Sequence, residues 1–329
     1  MSKYLFFRTD RIGDYIFSRM IVDTIKKNNP NSQIDFVCSE YNSKYIRNFS
    51  DIKKIYILDK YNFTSLISNF YNITQEKYDY LIVLDGKRRS IFFSTLFPNI
   101  KNKIALVKNF RPKILLNFFF KKYIINSEIN SQFENFTSLI NYLNFKVSAK
   151  INYYQNYKLK FTDKILLPKK YTMLHLDEKW FEGYYYDDFK YMNLNTKNFS
   201  NLIKTIKKKF NKSIIITTGY IKTSQFESIK EKFFIKKNNK YIINNFKKNK
   251  VLLLEDISFQ SLEYLTSKAS EIICCEGAIS HVSNGFNIKT YALIENFVTA
   301  KFWTNHMKNI HLIRRSNIKN ICNDLKKLK

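Results

Sequence analysis

Acidic residues are scarce in this chain: 27 Asp and Glu stand against 56 Lys and Arg, a formal net charge of +29. A charge of that sign and size favours anionic partners, whether nucleic acid, anionic lipid or phosphorylated sugars. Glycine is also scarce, at six of 329 residues, so each is expected mainly where other residues fit badly. Neither the dinucleotide fingerprint GxGxxG nor the phosphate loop GxxxxGK[ST] occurs, which excludes the usual glycine-rich nucleotide cradles. The four cysteines, Cys38, Cys274, Cys275 and Cys322, form no CxxC pair. They read as buried reduced thiols in a reducing compartment, not as a zinc site. No DxD ends a strand-like run, and no His/carboxylate cluster appears, so no metal is expected. No apolar run approaches the roughly 18–20 residues that span a bilayer. The N-terminal stretch lacks the apolar core and cleavage site of a signal peptide, and a cytoplasmic protein is expected.

What is present is a globular composition, 45% hydrophobic, over a length that suits two domains of roughly 150 residues. Short β-branched or aromatic runs at Tyr4–Phe7, Gln33–Cys38, Lys54–Leu58, Tyr80–Leu84 and Lys103–Val107 read as buried parallel strands. Helical patterns lie between them. In the first, Ile16, Phe17, Met20, Ile21 and Ile25 share one face at a period near 3.6. A second series follows at Tyr171–His175, Ser213–Thr218, Val251–Leu254, Glu271–Cys275 and Thr290–Ile294. Helices are expected at Phe133–Phe145, Thr196–Phe210, Ser258–Ala269, Ala278–Gly285 and Asn317–Leu328. The spacing is that of βαβ units. The expected architecture is α/β, two Rossmann-like doubly wound parallel-sheet domains at 1–165 and 166–329 with a ligand cleft between them. Leu115–Phe120 is strongly apolar but bracketed by lysines; it reads as a buried helix segment, or as a groove or membrane contact. Basic clusters at Lys87-Arg88-Arg89, Lys121-Lys122, Lys207-Lys208-Lys209 and Lys236-Lys237 are scattered, as solvated helix faces are.

Four stretches carry candidate chemistry. RTDRIGDY (residues 8–15) places Gly13 and Asp14 between a strand and a helix, the arrangement by which open α/β sheets build ligand crevices. CCEGAISHVSNGF (residues 274–286) repeats strand, acid, Gly277 and helix. Its first-turn N–H groups could receive a phosphate. LHLDEKW (residues 174–180) offers Lys179 at a strand end, and Thr217-Thr218-Gly219 ends the next strand.

RxDRIGD, LHxDxKW and EGAISH, in that order, resemble the ADP-heptose:lipopolysaccharide heptosyltransferase family. YDYLIVLDGKRRS (residues 78–90) and the run SLEYLTSKASEIICCEG add weaker echoes. The resemblance covers most of the chain, with identity concentrated in the three motifs. It implies a GT-B glycosyltransferase whose first domain binds the acceptor and whose second binds the nucleotide-sugar donor. It implies an inverting, metal-independent transfer without cofactor, the donor being a substrate and ADP-linked.

Residue by residue, the resemblance makes Asp14 the general base that takes the acceptor hydroxyl's proton; a helix-capping role is the alternative. It gives Lys179 the diphosphate charge to neutralise. It puts Thr218, Gly219, Glu276, Gly277, Ala278, Ser280 and His281 at the donor, with His281 equally readable as structural. Arg8, Arg11, Gly13, Arg88 and Arg89 would meet an anionic acceptor, a glycolipid or polysaccharide, with peripheral contact to the inner membrane face. Where the family often has Asp-Thr-Gly, this chain has Glu276-Gly277-Ala278, which puts the donor sugar in doubt. The loop of Tyr184-Tyr185-Tyr186 and Asp187-Asp188 is expected at an acceptor or interdomain surface. Two competing readings are a non-catalytic relative that keeps the fold and a basic nucleic-acid binder. The second has only charge behind it, with no zinc finger, RRM signature or continuous basic helix.

Overall fold

The computed structural model describes residues 1–59, 62–107, 113–126, 130–147, 153–154, 157–161, 166–181, 192, 194–219, 221, 223–237, 240–243 and 250–328. The chain divides into two compact units, Met1–Lys158 and Leu159–Lys329; the sequence placed the join at 165/166.

The first unit alternates β1 (Lys3–Arg8), α1 (Ile12–Asn28), β2 (Gln33–Cys38), α2 (Glu40–Ile46), β3 (Lys54–Ile57), α3 (Phe63–Thr74), β4 (Tyr80–Val83), α4 (Arg88–Thr95), β5 (Asn102–Val107), α5 (Lys113–Phe119), β6 (Lys122–Ile125) and α6 (Gln132–Tyr142). The six strands form one parallel sheet in the order β3-β2-β1-β4-β5-β6. Strand alternation sends Leu5 and Phe7 to one face, where they join Val37, Leu81, Val83 and Val107 under α3, α4 and α5. Phe6 goes to the other face, where its ring stacks on Phe36, which in turn meets Tyr15 of α1. Phe17 of α1 packs on Phe136 of α6. The order reverses between β1 and β4, so their carboxyl ends flank the switch point where open α/β sheets hold ligands.

The second unit runs β7 (Tyr171–Leu176), a 3-10 turn (Glu178–Trp180), α7 (Thr196–Phe210), β8 (Ser213–Thr218), α8 (Ser224–Phe233), β9 (Phe234–Lys237), β10 (Lys240–Ile243), β11 (Val251–Leu254), α9 (Phe259–Lys268), β12 (Glu271–Cys275), α10 (Ala278–Gly285), β13 (Lys289–Ile294), α11 (Phe297–Thr304), β14 (Ile310–Arg314) and α12 (Ile318–Lys327). Its sheet has the order β14-β13-β12-β7-β8-β11-β10-β9. Six strands are parallel, and β9 and β10 form an antiparallel edge hairpin. Strand order reverses between β7 and β12. Trp180 is fully buried in this unit's core, and its indole N–H donates to the His175 carbonyl at 3.1 Å.

The central strands follow the sequence expectation, with shifts of one residue at some ends. The edge elements β6, β9, β10 and β14, and helices α8 and α11, are additions. All four cysteines are buried and unpaired. Among the described residues, no helix is long and apolar enough to cross a membrane.

Candidate functional site

Two strand-to-helix loops, one in each unit, gather the candidate chemistry. In the first unit the loop after β1 is organised by Arg8, whose side chain is only 2% exposed. Its Nε and Nη2 donate to the Asp14 carbonyl at 3.1 and 2.9 Å, and its Nη1 donates to the Leu84 carbonyl at 2.7 Å. The same guanidinium lies 3.2 Å from Asp10 Oδ1 and 3.6 Å from Asp14 Oδ1. Arg8, expected to meet an acceptor anion, is thus spent inward. Removing one partner from such a buried charge network costs about 3–5 kcal/mol, which marks Arg8 as scaffold.

Gly13 was expected in a tight turn ahead of the helix. It is instead buried inside the first turn of α1. The chain is redirected by residues 9–11, where Asn42 Nδ2 donates to the Asp10 carbonyl at 2.5 Å. Among the described glycines, the one in the left-handed region is Gly86 (φ +57°) after β4, where a β-carbon would sit 2.9 Å from the Leu106 carbonyl oxygen. Asp14 occupies the third position of α1 and accepts from the Arg11 backbone N–H at 3.3 Å. The capping role is therefore present, and its carboxylate keeps 23% exposure.

The loop after β4 joins this one. Asp85 Oδ2 accepts from the Thr9 N–H at 3.0 Å, the Thr9 hydroxyl at 2.7 Å and the Ser90 hydroxyl at 2.7 Å. Lys87 Nζ donates to the Thr9 carbonyl at 3.1 Å. Exposed Arg88 and half-buried Arg89 open α4 beside it, and Arg11 is exposed.

Asp10 was missed from sequence. Burial pushes its carboxyl up to about 7. Arg8 and Lys87 pull the other way, while Asp14 and Asp85 add to the rise. The motif RTDRIGD displays two acids, and only the one next to Gly13 drew attention.

In the second unit, β7 is followed by Asp177, whose Oδ1 caps the 3-10 turn by accepting from the Lys179 N–H at 3.1 Å. That turn aims Lys179 at the β12–α10 loop, where its Nζ donates to the Glu276 carbonyl at 2.5 Å. The Asp177 carboxylate stands 3.9 Å from the same ammonium. Burial works against the Lys179 charge, but Asp177, Cys275 and Glu276 outweigh it and hold its pKa above the ordinary value. Burial raises the Asp177 carboxyl to about 6, against the pull of Lys179. It was the second residue missed, although it stands inside the quoted LHLDEKW.

Gly277 follows Glu276 as the residue before α10, and a β-carbon there would lie 3.3 Å from Lys179 Nζ. The glycine gives the ammonium room to sit at the helix N-terminus. Ser280, expected at the donor, is buried and turned inward: its hydroxyl donates to the Gly277 carbonyl at 2.6 Å and accepts the Gly277 N–H at 3.2 Å. Ala278 is half-buried in the first turn of α10. His281 is 6% exposed with its ring edge-on to Trp303, a packed environment. At the end of β8, Thr218 is buried, and the Gly219 N–H donates to the Leu176 carbonyl at 2.9 Å. A β-carbon on Gly219 would lie 3.9 Å from the Asp177 β-carbon. His175, whose ring meets the Thr217 hydroxyl at 3.0 Å, is pushed down to about 4 by burial, with Lys179 adding to the shift, and stays neutral.

The structure thus brings Lys179, Gly219, Glu276, Gly277 and Ala278 to neighbouring strand ends of the second sheet. It brings Asp14, Arg11, Arg88 and Arg89 to those of the first. Tyr184-Tyr185-Tyr186 and Asp187-Asp188 lie outside the described residues. No group of three His, Cys, Asp or Glu among the described residues is placed to hold a metal.

No family model and no curated protein matches the chain by sequence. Solved structures do. An Escherichia coli heptosyltransferase, WaaC, with ADP superposes with a TM-score of 0.68 at 12% identity, over 99% of this chain and 97% of that one. A glycosyl transferase of family 9 from Veillonella parvula reaches 0.70 at 12% identity, over 100% and 94%. A UDP-GlcNAc 2-epimerase from Methanocaldococcus jannaschii reaches 0.56 at 14% identity, over 100% and 94%. The fold is the two-domain α/β architecture called GT-B. More particularly, it is the form of that fold seen in the heptosyltransferase structures, where the likeness is greater than to the epimerase.

Proposed function

We propose that the chain is a glycosyltransferase that moves a sugar, heptose or similar, from a nucleoside-diphosphate donor to a hydroxyl of a surface-glycan acceptor. The observation that carries this reading is the charge of the two loops. One presents the Asp14 carboxylate at a helix start, and the other presents the Lys179 ammonium at a helix start. A glycosyl transfer asks for both. The acceptor O–H gives its proton to a carboxylate as its oxygen bonds to the anomeric carbon. The bond from that carbon to the diphosphate oxygen breaks, and the departing charge needs a cation and helix N–H groups. In this reading Asp14 is the base, and Lys179 with the Glu276-Gly277-Ala278 backbone receives the diphosphate. A single displacement inverts the anomeric centre and needs no metal or cofactor.

The heptosyltransferase-like form of the fold and the three ordered motifs favour this class. An ADP-linked donor is favoured because the WaaC structure holds ADP. The acceptor would be a lipopolysaccharide or other anionic glycolipid, met at the cytoplasmic face of the inner membrane. Arg11, Arg88 and Arg89 are the cations assigned to it in this reading.

The test is nucleoside-diphosphate release from ADP-, UDP-, GDP- and CMP-sugars with the wild type and Asp14→Asn. Turnover with one donor class, falling about 10²- to 10⁴-fold in the variant, is expected of a lost general base. Equal turnover in both proteins would remove Asp14 from the mechanism. Binding of no nucleotide at all would favour the non-catalytic relative.

A further inference from the structure

Three helices of the first unit share an unusual outer surface. α3, α4 and α5 lie on one face of the six-stranded sheet and bury Ile73, Phe93 and Leu116 against it. Each also turns an apolar pair to solvent at i, i+4 spacing: Ile67 and Tyr71, Phe92 and Leu96, Ile114 and Phe118. These six are between 40% and 83% exposed, and they are half of the twelve large exposed hydrophobics among the described residues. Residues four apart on a helix project from the same side, so each pair forms an outward ridge. Phe70 of α3 contacts Phe93 and Phe97 at 6.3 and 5.2 Å beneath this surface, which makes α3 and α4 neighbours on the sheet. Exposed apolar surface concentrated on one face in this way marks an interaction site.

The charge around the ridges is one-sided. Residues 86–127 contain ten Lys and Arg and no Asp or Glu. Helix α3 contains no acid either. Lys87, Arg88, Lys101, Lys113 and Lys121 are exposed. A second copy docking here would bring two surfaces of like charge together, which is repulsive. A nucleic acid would reward the cations and find rings at Tyr71, Phe92 and Phe118, but each ring is paired with an aliphatic residue, Ile67, Leu96 or Ile114, that adds apolar surface stacked bases do not use and acyl chains do. Apolar side chains that enter the acyl boundary, ringed by Lys and Arg that meet anionic headgroups, fit a lipid surface.

We infer that the outer face of α3, α4 and α5 docks the protein on an anionic lipid bilayer. The i, i+4 pairs insert, and the flanking cations pair with lipid phosphates. The face lies within one unit and does not rest on the transferase reading, since vesicle binding needs no turnover and either can fail alone.

The test is co-sedimentation of the full chain with phosphatidylcholine vesicles that contain or lack phosphatidylglycerol. The wild type should partition to the anionic vesicles. Ile114→Ser with Phe118→Ser should bind them about tenfold more weakly or worse, as expected from losing two inserted apolar side chains. Ile67→Ser with Tyr71→Ser provides a second disruption if the first variant folds poorly. Phe297→Ser with Val298→Ser, a similarly exposed pair on α11, should bind like the wild type. Three outcomes overturn the inference. The first is equal vesicle binding by wild type and both α3 and α5 variants. The second is a wild-type dimer that those variants turn monomeric. The third is oligonucleotide binding that falls in parallel with vesicle binding.

Discussion

The β1–α1 loop and the β12–α10 loop are built on the same plan and carry opposite charge. Each follows a buried parallel strand, and each opens a helix at its sheet's reversal of strand order. In the first, a buried arginine lies beneath two carboxylates, Asp10 and Asp14, and the helix start is occupied by Asp14. In the second, the strand is followed by Glu276, whose carbonyl, not its carboxylate, meets the Lys179 ammonium at the helix start. A helix N-terminus attracts negative charge in either case. Where the protein supplies its own carboxylate, the loop is suited to handle protons. Where it supplies an ammonium, the loop remains open to a phosphate. The shared topology gives a crevice; the side chain placed at the helix start decides what enters it.

Lys179→Gln strikes hardest at the second half of this contrast. It removes the cation while leaving a hydrogen-bond donor, and kcat/KM for the donor should fall about 10²-fold, the usual scale for one lost electrostatic stabiliser. Nucleoside-diphosphate affinity, read by calorimetry, should fall with it. Unchanged affinity and turnover would show that the two loops are not electrostatic opposites in function. Gly277→Ala is a gentler version. A β-carbon 3.3 Å from Lys179 Nζ obliges the ammonium to move. Because Nζ ends a flexible chain, the fold should tolerate the change with a melting temperature within a few degrees of wild type. Donor KM should rise about three- to tenfold from the displaced charge. A KM that does not move would mean that the ammonium position seen here is not the one that meets the donor.

How much of this was legible in the sequence depends on the kind of signal. Central strands such as Gln33–Cys38 and Ser213–Thr218 were readable to the residue because both faces are buried and the runs are short and rich in β-branched or aromatic residues. The edge strand Lys122–Ile125 was not, since its apolar residues follow two lysines and it covers only four positions. Strands β9 and β10 were hidden in the same way by the lysine-rich stretch around them. In the site, Lys179 and Gly277 emerged from their motifs, and the structure supplies the reason they occur together, a contact between residues about a hundred positions apart. The inward turn of Arg8 and Ser280 could not be read. Cation and hydroxyl have the same appearance in sequence whether they face a ligand or a carbonyl, and only the three-dimensional count of their partners separates the two. Asp10 and Asp177 escaped for the converse reason. Their interest lies in burial, which a polar residue between charged neighbours does not announce.

Asp10 allows the smallest and sharpest test of the comparison. Its carboxyl is raised from 3.8 to about 7 in the folded protein, first by burial and then by Asp14 and Asp85, with Arg8 and Lys87 opposing. In the unfolded chain it ionises near its ordinary value. The folded state therefore holds a proton that the unfolded state has lost between pH of about 4 and about 7. The stability linked to that proton is fully present below about pH 4, drains away up to about pH 7 and is absent above. Asp10→Asn keeps the shape of the neutral acid and removes the titration. Urea unfolding of the two proteins across pH 4 to 8 should show the variant gaining on the wild type steadily as pH rises and levelling off above about 7. Asp177→Asn should gain over a narrower window, because its carboxyl is raised only to about 6, and its amide oxygen can still accept the Lys179 N–H. Parallel curves for wild type and Asp10→Asn would mean that the first loop holds Asp10 ionised throughout. The proton-handling character assigned to that loop would then rest on Asp14 alone.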